Sequence, residues 1–218
     1  MPDATQAQGG AANPPHKRSG RFKMGLLLLV CAAPVLASYF TYYVIKPEGR
    51  RNYGELIDPQ RALPEVMAQT LDGQTVALAS LKGQWLLLQV DSGACAKACE
   101  DKLYLQRQLR ESLGREKERV DRVWLVADEQ PVPAALSTGL TQATVLRVPQ
   151  AVLSNWLAAA PGHALADHLY VVDPMGHWMM RFPAGMDVAG AGKAKRDLER
   201  LMKGSSSWDQ PGRSPEGQ

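Results

Sequence analysis

Cys95 and Cys99 stand four positions apart, with Ala96, Lys97 and Ala98 between them. They follow the apolar run 86–90 and the loop Asp91-Ser92-Gly93-Ala94, and they open a stretch of helical spacing over 95–113. Residues four apart on a helix share a face, so the two thiols are expected one turn apart, with Cα atoms about 6 Å from each other. A helix N-terminus and the neighbouring Lys97 both favour thiolate over thiol. Two chemistries suit such a pair. Two soft thiolates on one face can grip Cu(I). The same pair can exchange electrons with a second dithiol, one sulfur attacking and the other resolving. A purely structural bridge closes too short a loop to constrain the unfolded chain much, so chemistry explains Cys95 and Cys99 better. Cys31 differs: it lies within a long apolar run and reads as a small filler.

No Ser-His-Asp set, Gly-rich phosphate loop or paired-carboxylate motif accompanies the cysteines. Asp91 and Asp101 flank them at a spacing that suits a helix start. The net charge of +3 over 218 residues is mild and the basic residues are spread out. That excludes the clustered footprint of a nucleic-acid binder.

These cysteines must be placed relative to a membrane. Residues 24–45 carry no charge, and 22 residues suffice to cross a hydrocarbon core of about 30 Å as a helix. Tyr39, Phe40, Tyr42 and Tyr43 crowd one end, as a membrane interface favours. Lys17, Arg18, Arg21 and Lys23 precede the run, against Lys46, Arg50 and Arg51 after it. The positive-inside rule then puts the N-terminus in the cytoplasm and the remainder outside. The expected location is a bacterial inner membrane crossed once, with a periplasmic C-terminal domain. Val35-Leu36-Ala37 offers the competing cleavage site of a signal peptide, but the apolar run continues beyond it. The resulting division is a disordered cytoplasmic tail over 1–23, a transmembrane helix over 24–45, a linker over 46–62, a domain over 63–203 and a loose tail over 204–218.

Within the domain, residues 64–83 read as a hairpin-like entry turning at Asp72-Gly73. The continuous apolar run 86–90 and the run 120–127 read as buried strands. Segments 131–142 and 149–160 are helix-like around a short run at 143–148. Strands over 168–172 and 177–182 are joined by Asp173-Pro174-Met175-Gly176, a turn with Pro second and Gly fourth. A helix over 190–203 closes the domain. Strands alternating with helices indicate an α/β layer, here a thioredoxin-like domain: a central mixed sheet flanked by helices, preceded by one transmembrane helix.

Several segments resemble the Sco (SenC) family, membrane-anchored thioredoxin-like copper proteins of cytochrome c oxidase assembly. Leu81-Lys82-Gly83-Gln84-Trp85 is similar to that family's lead into its central strand, and the CxxxC pair follows directly. Asp167-His168, an apolar strand and Asp173-Pro174-Met175-Gly176 resemble its Asp-His and Asp-Pro-x-Gly signature. The resemblance spans roughly 63–202. It implies copper, as Cu(I) or Cu(II), held by Cys95, Cys99 and His168, and partners among cytochrome c oxidase subunits or other copper chaperones. His163 is the reserve ligand, His177 is expected to face solvent, and Met175, Met179 and Met180 are expected to pack. Ala96, Glu100 and Lys97 depart from the family's two prolines and its acidic residue. The copper reading makes the chain an assembly factor. The alternatives are a thiol-disulfide oxidoreductase, a peroxiredoxin-type peroxidase and a membrane-tethered interaction domain without chemistry.

Overall fold

The computed structural model describes residues 18–45, 52–209 and 211–212, in two units, 1–50 and 51–218. In the first unit, α1 (Arg18–Phe40) continues into a π-helical turn over Thr41–Ile45. Phe22–Tyr43 is long and apolar enough to cross a membrane. The rings of Tyr39 and Tyr43 stack 5.6 Å apart at its end. Of the disordered tail expected over 1–23, residues 18–23 are helical and belong to α1, because the helix of the apolar run continues back through its basic flank; residues 1–17, 46–51, 210 and 213–218 lie outside the described residues.

The second unit is organised by β4 (Trp85–Asp91), whose Leu86, Leu87 and Leu88 are fully buried. A strand covered on both faces needs apolar side chains in both directions, which is why this segment reads as an unbroken apolar run. Around it lie β1 (Glu55–Ala62), β2 (Met67–Thr70), β3 (Thr75–Ala77), β5 (Val120–Val126), β6 (Ala143–Arg147), β7 (Leu169–Val172) and β8 (His177–Arg181). The eight strands form one sheet in the order β1-β8-β7-β4-β5-β6-β2-β3. β4 and β5 are parallel, as are β5 and β6, while the other pairings are antiparallel. This is the mixed sheet and thioredoxin-like arrangement that the order of elements predicts.

Helices cover both faces. Leu86, Leu88 and Val90 face one layer, packed with Leu153 and Trp156 of α4 (Gln150–Trp156). Trp85 and Leu87 face the other, packed with Leu109 of α2 (Lys97–Glu111) and with Leu198 and Met202 of α5 (Val188–Ser205). A 3₁₀ turn over Ala134–Leu136 leads into the single-turn α3 (Ser137–Leu140). Gly73 and Gly176 take positive φ in the two predicted turns, a conformation that glycine adopts without a Cβ penalty.

In the second unit two further boundaries differ from the sequence expectation. Residues 55–62 belong to the sheet rather than to a linker: β1 pairs with β8 at its edge. It is largely exposed and contains Pro59, so it carries no alternating apolar signal, and an edge strand tolerates proline. At the other end, α5 runs to Ser205, and Asp209 is buried rather than part of a loose tail. The Asp209 carboxylate accepts from the Trp85 indole at 2.7 Å and from Nε and Nη2 of Arg119 at 3.0 and 2.6 Å. A buried guanidinium and a buried indole N–H both require such a partner, and Asp209 supplies it.

Candidate functional site

β4 delivers the chain into the loop 92–96, and the loop delivers two sulfurs to the start of α2. Cys95 and Cys99 form a disulfide with Cα atoms 5.1 Å apart. Cys95 is not helical as the spacing predicts. It sits two residues before α2 with φ +42°, in the left-handed region that disfavours a side chain. Both cysteines are about 97% shielded, packed with Leu103, Trp124 and Val126.

The loop is held from beneath and from the side. Asp128 accepts from the Gly93 amide at 2.9 Å and from the Gln130 amide at 3.2 Å. Burial works against its ionisation, but these amides, Ser92 and the nearby Arg147 charge outweigh it and hold the carboxyl below its ordinary value. Gly93 must be glycine for space: a Cβ there would lie 2.0 Å from the Gln130 carbonyl oxygen. Lys102 of α2 reaches back to Asp91 at 3.1 Å, both side chains being mostly covered. Lys97 points away and pairs with Asp101 one turn along, at 2.5 Å in solvent. Its charge is directed at a carboxylate rather than at the sulfurs.

Directly under the disulfide lies Gln89, the polar interruption in the apolar face of β4. Its Nε2 donates to the Cys99 carbonyl at 3.3 Å and sits 3.5 Å from Cys99 Sγ. Its Oε1, and the indole N–H of its strand partner Trp124, find no hydrogen-bond partner among the described residues. A single polar residue in a run of Leu and Val is the signal in the sequence that marks this position.

The structure does not bring His168 to the sulfurs. Gln89 and Leu169 are partners across β4 and β7 and share the α2 face. His168 precedes Leu169 and turns to the other face, where its ring meets those of Tyr170 and His163. It is 1% exposed. Its Nε2 accepts from the Ala160 amide at 3.1 Å, and its Nδ1 donates to the Phe182 carbonyl at 2.9 Å. This occupies both nitrogens. Burial pushes the imidazole pKa down, against a smaller opposing effect of the Phe182 bond. The reserve candidate His163 is half-exposed and pairs with Asp167. His177 pairs with Asp173 in the β7–β8 turn. Met180 is in the core, Met179 packs against it, and Met175 is exposed.

The Cys95, Cys99 and His168 set therefore does not fit a copper ion in this arrangement: two sulfurs are bonded to each other, and the imidazole is turned away with its lone pair used. No group of three His, Cys, Asp or Glu side chains among the described residues is set to hold a metal. A groove of about 450 Å³ runs along α2 past Ala98, Lys102 and Leu105 to His163, Asp167, Leu169 and Met186.

The fold recurs in known structures. Apo Sco1 from Thermus thermophilus matches with a TM-score of 0.53 at 18% identity, covering 69% of this chain and 96% of that one. Yeast Sco1 with copper bound matches with a TM-score of 0.51 at 15% identity, covering 67% and 95%. BsSco, a Sco-family cytochrome c oxidase assembly protein described as having a disulfide switch, matches with a TM-score of 0.51 at 18% identity, covering 69% and 96%. At these identities the likeness is one of fold. No curated protein sequence matches the chain. A family model for a transmembrane-like, thioredoxin-like C-terminal domain matches residues 85–205, more than half of the chain. That stretch runs from the first residue of β4 to the last of α5 and contains the disulfide, and the chain belongs to this transmembrane-like, thioredoxin-like family.

Proposed function

We propose that this chain is a membrane-tethered thiol-disulfide protein that works through Cys95 and Cys99. One observation carries the reading: the two sulfurs are bonded at the junction of β4 and α2, above a buried amide donor. In the forward step a partner thiolate attacks Cys95 Sγ, the disulfide breaks, and Cys99 leaves with the electron pair as a thiolate. A second thiol of the partner then displaces Cys95. The partner dithiol is oxidised and this pair is reduced, and the reverse sequence oxidises it. Cys95 is assigned the outer role because it lies in the loop before α2, whereas Cys99 lies within α2 and rests on Gln89. In the same reading residues 1–23 are cytoplasmic, α1 spans a bacterial inner membrane, and the domain works in the periplasm.

The test is equilibration of the full chain in detergent with dithiothreitol or glutathione buffers, followed by alkylation and gel shift. Reversible opening of the pair in the folded chain is expected. Resistance of the bond until the protein unfolds would overturn the reading.

Copper handling is the second reading, favoured by the fold shared with copper-bound yeast Sco1. Reduction frees two soft sulfurs, a donor set that suits Cu(I). The ion would be cargo for cytochrome c oxidase subunits or other copper chaperones. Anaerobic Cu(I) titration of the reduced chain, beside Cys99→Ser and His168→Ala, separates the cases. Stoichiometric uptake abolished by Cys99→Ser supports this reading, and indifference to His168→Ala assigns the ion to the sulfurs without the imidazole.

A further inference from the structure

We infer that the side-chain amide of Gln89 holds the negative charge on Cys99 as the disulfide opens, and so makes Cys99 the leaving and resolving sulfur. The inference rests on the redox reading above and adds a residue to it. The Cys99 carbonyl can only accept, so the amide must turn its N–H side toward Cys99. That orientation places the same nitrogen 3.5 Å from Cys99 Sγ. Gln89 has no exposed surface, and its other end is left without a partner among the described residues. A leucine here would continue the pattern of β4 and leave no orphaned atom. The position instead keeps a donor under one sulfur of the two.

The charge logic is local. The apolar side chains packed with the sulfurs are Leu103, Trp124 and Val126, and Lys102, one turn along α2 from Cys99, is engaged by Asp91 at 3.1 Å. Lys97, the nearest cation in sequence, is engaged by Asp101. A thiolate appearing on Cys99 in a dry setting is therefore held by the Gln89 N–H together with the N-terminal turn of α2, because desolvation alone would favour the thiol. An amide neither takes nor gives a proton, so the donor works at any pH at which the partner thiolate exists. A lower-energy leaving thiolate departs faster.

The experiment uses the full chain in detergent with Cys31→Ala throughout, which removes the third thiol, in two single-cysteine backgrounds. Cys95→Ser isolates Cys99, and Cys99→Ser isolates Cys95. Thiolate ultraviolet absorbance against pH gives each midpoint. Gln89→Met keeps the volume and removes the donor. It is expected to raise the Cys99 midpoint by about one pH unit, a roughly tenfold fall in thiolate at fixed pH, while the Cys95 midpoint stays in place. In the two-cysteine chain, Gln89→Met slows opening by dithiothreitol several-fold. An unmoved Cys99 midpoint, or equal shifts at both cysteines, overturns the inference. Gln89→Glu serves if Gln89→Met does not fold: a carboxylate under Cys99 raises that midpoint more than the one at Cys95, and equal values overturn it again. Wild type that never opens with dithiothreitol condemns the redox reading itself. Wild type and Gln89→Met that open alike condemn only the role of Gln89.

Discussion

Reduction of the Cys95–Cys99 bond is expected to leave the folded chain nearly as stable as before. The sequence separation is 4. The loop-closure relation for a ring this small gives about 2 kcal/mol of stabilisation at 25 °C. Against it stands Cys95 at φ +42°, where a residue with a Cβ costs about 1–2 kcal/mol. Reduction lets that residue relax, so the net loss is about 1 kcal/mol or less. For a domain of this size that is a fall in Tm of about 2–4 °C. Thermal unfolding of the full chain in detergent, followed by tryptophan fluorescence with and without a phosphine reductant, measures it. Trp124 beside the pair and the remote Trp178 report on different layers of the core. A drop of more than about 10 °C would mean that the bond is a staple, and the account of a pair free to cycle would be wrong.

Three other outcomes are expected. Asp209→Ala removes the carboxylate shared by Arg119 and Trp85. Breaking one side of a buried ion pair costs about 3–5 kcal/mol; Glu116 still holds Arg119 at 2.5 Å, so about 3 kcal/mol is expected from urea unfolding, and a loss below 1 kcal/mol refutes the clasp. His168 is held neutral below its ordinary value of 6.5, by burial first and with Arg181 and His163 adding to it while Asp167 and the Phe182 bond oppose. The unfolded chain therefore binds the proton more readily, and the His168 contribution is complete above about pH 6.5 and lost as pH falls through the folded value; a His168→Gln chain with the same slope of stability against pH in that range would refute this. Gly93→Ala forces the loop away from the Gln130 carbonyl and should cost about 1–3 kcal/mol, against little change for Gly139→Ala, where a Cβ meets nothing within 4 Å; equal costs would refute the tight approach.

Most of the sheet could be read from residue patterns because its central strands are buried on both sides. Leu86, Leu87 and Leu88 and the run at 120–126 form continuous apolar segments for that reason. Asp72-Gly73 and Asp173–Gly176 announce their turns chemically. β1 escaped because an exposed edge leaves no alternation to detect, and the Asp209 clasp escaped because its partners lie 124 and 90 positions away. The sulfur pair was visible from type and spacing, although helical geometry for Cys95 was not what formed. The imidazole was assigned to the pair by resemblance, and strand parity turns it to the other face: His168 is one residue out of phase with Leu169, the residue that shares a face with Gln89. Register between distant strands is not written in local sequence.

That parity has a consequence for anyone altering this molecule. The sheet is a wall with sulfur chemistry on one side and an imidazole latch on the other, and no described hydrogen bond joins the two. Free energies of changes in separate neighbourhoods without shared contacts add. Libraries that rebuild the cluster around Trp124 and those that vary the ring pair of His168 and Tyr170 can be searched separately and then merged, with His163 held fixed because it borders the groove along α2.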